Sequence, residues 1–75
     1  MDENVKASQC KRILEFLDSY GTINPMQALT FLSVMRLAAR ISDLRRAGVE
    51  IEGEMVDHVN QFGEHVRFKE YRRTI

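Results

Sequence analysis

Two helical stretches follow one another in the middle of the chain with almost nothing between them. Residues 25–32 open on Asn24-Pro25, where Asn24 is a good helix cap. Pro25 suits the first helical position because its missing N–H would be unpaired there anyway. Gln27 stands three residues after the cap, as a capping box requires, and Ile23 with Ala28 makes the accompanying hydrophobic staple. Ala28, Leu29, Phe31 and Leu32 are the predicted buried side. A second helix is predicted over 33–47, capped by Ser33 and ended by Gly48 in the left-handed conformation. So short a link forbids antiparallel packing along the full lengths, so the two helices must cross steeply. A short helix with an early alanine, followed by a helix with an aliphatic stripe, is a helix-turn-helix.

The second of these helices has two chemically different sides. Val34, Leu37, Ile41 and Leu44 recur at helical spacing and form one stripe. Met35, Arg36, Ala39, Arg40, Asp43 and Arg46 lie on the other side. Arginines separated by small residues suit a helix lying in a DNA major groove, where an arginine reads guanine through two donors. An ordinary solvated face has the same composition, with Asp43 pairing one of the arginines. Net charge is zero over 75 residues, so its distribution matters more than its sum. Residues 33–49 hold Arg36, Arg40, Arg45 and Arg46 against Asp43, and 50–57 hold Glu50, Glu52, Glu54 and Asp57 with no cation. Residues 58–75 return to positive with Arg67, Lys69, Arg72 and Arg73 against Glu64 and Glu70.

The flanks complete the architecture. A first helix is predicted from Ser8, or alternatively Asn4, to about Tyr20, with residues 1–7 frayed. Cys10, Ile13, Leu14 and Leu17 supply its buried stripe, extended by Phe16 and Tyr20, and Gly21 stops it. Lys11, Arg12, Glu15 and Asp18 fall outside, and Thr22-Ile23 is a short extended piece. After Gly48 the apolar period changes to two, and Val49-Glu50-Ile51-Glu52 reads as a half-buried strand interrupted by Gly53. Met55, Val56 and Val59 continue the extended run to a turn at 60–64. The returning strand is predicted over 66–69, and Tyr71 breaks its alternation, which places a bulge or strand end near Glu70. Three helices, a short strand after the first and a C-terminal β-hairpin make an α+β winged helix-turn-helix, expected as one domain over 1–75.

Other classes find little support. No apolar run reaches the ~20 residues of a membrane span, and no signal-peptide pattern opens the chain. A single cysteine, Cys10, excludes an intrachain disulfide and fits a reducing cytoplasm. His58, His65 and Cys10 match no zinc spacing. There is no nucleophile–base pairing, phosphate loop or carboxylate dyad, so neither an enzyme nor a cofactor is expected. A domain this small without covalent staples leaves a homodimer open.

Residues 13–14, 17, 21–25, 28–29, 35–45, 48, 51, 60–63 and 71 resemble a small winged helix-turn-helix family found mostly in phages and prophages. Met35-Arg36-Leu37-Ala38-Ala39-Arg40-Ile41-Ser42-Asp43-Leu44-Arg45 is the specific part, and Asn60-Gln61-Phe62-Gly63 is the looser wing piece. The resemblance implies double-stranded DNA binding, with residues 33–47 in the major groove and a wing at 58–67 beside it, in a phage or prophage transcription regulator or accessory factor. The candidate DNA-binding residues are Ser33, Met35, Arg36, Ala39, Arg40 and Arg46 on the helix, and Gln61, Arg67 and Lys69 on the wing. Winged helices also bind proteins. That alternative is a protein-interaction module using the acidic block or the wing, and it is favoured if Glu50, Glu52 and Glu54 share a surface with the arginines.

Overall fold

The computed structural model describes residues 3–74. Its elements run α1 (Glu3–Tyr20), β1 (Thr22–Ile23), α2 (Pro25–Leu32), α3 (Leu37–Arg46), β2 (Ile51–Val59) and β3 (His65–Arg73). They form a three-helix layer against an antiparallel sheet of order β1-β3-β2. This is the α+β winged helix-turn-helix architecture, with the β2–β3 hairpin as the wing. None of the described helices is long and apolar enough to cross a membrane.

Helix α1 starts earlier than Ser8: residues 3–7 are helical, and the rest of the expected frayed start lies outside the described residues. Gly21, at φ 87°, ends it as expected, with its N–H bonded to Leu17 O. The reciprocal capping box at α2 forms as the sequence requires. Gln27 N–H donates to Asn24 Oδ1 at 2.8 Å, and Asn24 N–H donates to Gln27 Oε1 at 3.0 Å.

The junction after α2 differs from expectation. Ser33 does not cap α3; it ends α2 in the left-handed conformation, at φ 57°. Its N–H bonds Leu29 O and the N–H of Val34 bonds Ala28 O, which satisfies carbonyls that a helix end otherwise leaves open. A turn of residues 33–36 follows, and α3 begins one turn later than the periodicity suggested. Val34 is buried in that turn, so it fits the aliphatic stripe without being helical. The guanidinium of Arg12 adds a second lock, donating to Leu32 O at 3.1 Å.

The core gathers Ile13, Phe16, Leu17, Ile23, Ala28, Val34, Leu37, Ile41, Leu44, Ile51 and Tyr71. Of the predicted buried side of α2, only Ala28 is fully buried. Leu32 packs against the core edge, while Leu29 and Phe31 are exposed, Phe31 by 67 %. At eight residues the helix is too short to bury more than one narrow line. Phe31 instead stacks beside Phe16, which also touches the exposed Tyr20 ring.

Strand β2 runs unbroken through Gly53, and β3 runs unbroken through Glu70, so neither the expected interruption nor the bulge exists. Gly53 stands directly opposite Tyr71, and the buried phenol ring covers it. A Cβ there would lie 3.1 Å from the ring and 2.8 Å from Lys69 Cε. Gly53→Val is therefore expected to displace Tyr71 and lower unfolding free energy by about 1–3 kcal/mol, the range for overpacking. Urea unfolding at equilibrium measures it, and an unchanged midpoint would refute this packing.

Candidate nucleic-acid interface

Register decides which charges share a surface. Residues directly opposite on neighbouring strands point to the same face. Ile51, Gly53, Met55, Asp57 and Val59 therefore share a face with Arg73, Tyr71, Lys69, Arg67 and His65. Ile51 and Tyr71 are core residues, so this is the face turned toward the helices. Glu52 and Glu54, opposite Arg72 and Glu70, point the other way. Glu52 pairs with Arg72 at 3.2 Å on that outer face.

Helix α3 reaches the wing through Arg45. Its Nε and Nη2 both donate to Ile51 O, at 3.1 and 2.9 Å, and its guanidinium lies 6.0 Å from the Tyr71 ring centre. Lys69 Nζ approaches the same ring at 5.9 Å. Arg45 and Lys69 thus both approach the Tyr71 ring, one from α3 and one from the inner face of the hairpin. Farther out, Arg67 pairs with Asp57 at 3.1 Å, both exposed. Gln61 sits in the turn. Asn60 Oδ1 accepts from the N–H groups of Phe62 and Glu64 to close that turn, and the Phe62 ring projects into solvent.

The candidate residues of α3 separate into different environments. Met35 and Arg36 are exposed in the turn before the helix, Met35 by 84 %. Ser33 is exposed at the end of α2. Ala39 is half-buried, and Arg46 is exposed with a side chain 76 % accessible. Arg40 does not lie on the outward side, as the spacing suggested: only 5 % of it is exposed. Its Nη1 donates to Gln9 Oε1 on α1 at 3.5 Å, and its Nε lies 3.0 Å from Asp43 Oδ2. The other carboxylate oxygen of Asp43 accepts from Arg46. A chain Gln9–Arg40–Asp43–Arg46 therefore runs from α1 to the surface of α3. The cause is helix packing: α1 covers the flank of α3 that carries Arg40, and spacing along α3 alone cannot show which flank is covered.

Two titrations respond to this network. The hydrogen bond from Arg46, with the charges of Arg40 and Arg46, holds the Asp43 carboxyl below its ordinary value against the opposing effect of desolvation. A carboxyl with a lowered folded pKa stabilises the fold fully above its unfolded value, and that contribution fades as pH falls through the folded value. The stability advantage over an Asp43→Asn variant is thus expected to be full at neutral pH and to vanish in acid, measured by thermal unfolding across pH. Cys10, whose Sγ faces Arg40 O at 4.0 Å, has its pKa raised by burial and by Asp43.

The start of α3 is electrostatically open. Arg36 occupies the cap position and makes no side-chain cap bond, and the first turn carries no acid. Backbone N–H groups and a cation together give this end a positive potential that an anion would relieve. The outward ridge beyond it is Ala38 and Ser42, both exposed and small. Neither these two nor Arg45 and Lys6 are among the contact candidates that the sequence points to. The ridge was findable from helical spacing once the buried side was fixed by Leu37, Ile41 and Leu44.

A family model described as a winged helix-turn-helix domain matches residues 8–72. Comparison with curated proteins and with solved structures finds no match.

Proposed function

We propose that this chain, which belongs to the winged helix-turn-helix domain family, binds double-stranded DNA in the cytoplasm as a single domain over 1–75. The ridge of α3 enters the major groove, and the inner face of the wing lies beside it. One observation carries the reading: the partition of charge by strand register. Arg36, Arg45 and Arg46 sit along α3, and Lys69, Arg67 and Arg73 against Asp57 lie on the hairpin face turned toward it, while Glu52, Glu54 and Glu70 against Arg72 occupy the opposite face. Small residues on the ridge let the helix approach base edges, and the uncapped start of α3 favours a phosphate. Ser33, Met35, Arg36, Ala39, Arg46, Gln61, Arg67 and Lys69 remain the proposed contacts, and Arg40 acts through the position of Asp43 and Arg46. A role as a phage or prophage transcription regulator or accessory factor rests on the resemblance alone, of which residues 35–45 are the specific part.

The test is duplex binding as a function of salt. Affinity for short duplexes should fall linearly with the logarithm of salt, with a slope near −0.9 per phosphate neutralised. Absence of binding at low salt overturns the reading. The competing protein-interaction reading draws on the exposed rings of Tyr20 and Phe31, which flank buried Phe16 between α1 and α2, and it requires no duplex affinity.

A further inference from the structure

An open cleft of about 470 Å³ lies where the first turns of α1 meet the flank of α3, lined by Lys6, Arg36, Arg40, Ser42, Asp43 and Arg46. An adjoining cleft shares Lys6, Asp43 and Arg46 and reaches Cys10. We infer that this cleft seats one backbone phosphodiester of the bound duplex, with Lys6 as a phosphate-contacting residue outside both the helix-turn-helix and the wing. The inference rests on the DNA reading and adds α1 to its surface.

Among the described residues, four cations and one carboxylate line the cleft, and that carboxylate is already committed. Asp43 is held by buried Arg40 on one oxygen and by Arg46 on the other, so it braces the wall more than it repels an anion. Arg40 is itself anchored to Gln9 of α1, which fixes the two walls relative to each other. Lys6 and Arg36 add positive charge at the rim, and Ser42 is an exposed hydroxyl donor. Ser42 belongs to both the outward ridge and the cleft. A duplex whose groove takes the ridge therefore carries its adjacent strand along the flank where Lys6 stands. Phosphate suits the site because separate cationic donors from two elements converge on a small floor, which positions a strand without reading its sequence.

The experiment compares Lys6→Gln, Lys6→Arg and, as control, Lys11→Gln, since Lys11 is exposed on α1 away from the cleft. Duplex affinity is measured over a salt series by fluorescence anisotropy, with several unrelated duplexes, after confirming equal melting temperatures. For Lys6→Gln, binding should weaken by a similar factor on every duplex, and the log–log salt slope should drop by about 0.9, one phosphate contact. Lys6→Arg and Lys11→Gln should keep the parent slope. If the parent binds duplex and Lys6→Gln keeps both its slope and its affinity, the phosphate seat is refuted and the DNA reading stands. If the parent binds no duplex at low salt, both fall.

Discussion

Replacing Arg40 with alanine is expected to lower the stability of the domain by about 3 kcal/mol, near the low end for removing one partner of a buried ion pair. The low end applies because Asp43 keeps Arg46 and some contact with solvent. Arg40 is 5 % exposed, and its guanidinium joins Gln9 of α1 to Asp43 of α3. Its loss leaves a cavity between the helices, strands the Gln9 amide and removes half of the support of Asp43. A chain of this length holds only about 4–11 kcal/mol in total, so the melting temperature should fall by roughly 10 °C or more. The double variant Arg40→Met/Asp43→Asn should recover part of this, because it removes the stranded carboxylate and refills the volume. An Arg40→Ala protein that melts like its parent yet loses duplex affinity would make Arg40 a contact residue and refute its placement as a brace.

Arg36 and Arg46 should behave in the opposite way. Both are exposed, and alanine at either is expected to weaken duplex binding by about 1–3 kcal/mol, roughly 5–150-fold in Kd, if its guanidinium reads a base. Stability should move little, since an exposed pair such as Arg46–Asp43 contributes about 0–1 kcal/mol. Base reading and phosphate contact separate in the same titration. A reader loses affinity mainly on the preferred duplex, whereas a phosphate contact loses it evenly and flattens the salt slope. Unaltered affinity in the Arg36→Ala/Arg46→Ala double variant would remove α3 from the interface.

The architecture was legible in the sequence wherever local chemistry decides it. Asn24, Pro25 and Gln27 define the start of α2 through backbone groups within one turn, and the turn at Asn60–Gly63 is equally local. The aliphatic stripe of Leu37, Ile41 and Leu44 named the core side of α3. Elsewhere a residue type serves two roles equally well. Serine both caps a helix start and tolerates the left-handed end of one, and Val34 fits the stripe in either conformation. That ambiguity moved the start of α3 by a turn. Gly53 and Tyr71 show a different limit: each looks like an irregularity on its own strand, and only their opposition across the sheet makes both regular. At the interface, the charged residues were identifiable but their directions were not. The placement of Arg40 depends on which flank α1 covers, and that of Glu52 and Glu54 depends on sheet register.

The bond pair from Arg45 to Ile51 O also couples the helices to the wing. It joins the end of α3 to the first residue of β2, so helix and hairpin base turn as one piece. Beyond Tyr71 and Gly53 the hairpin extends as an exposed ribbon, Arg67 and Asp57 bridging across it. The root of the hairpin is therefore tied to α3, while its tip stands out in solvent. In the proposed duplex complex a caliper of this kind sets the gap between its jaws at the hinge, which would give Arg45 a part in selecting groove width without a base contact.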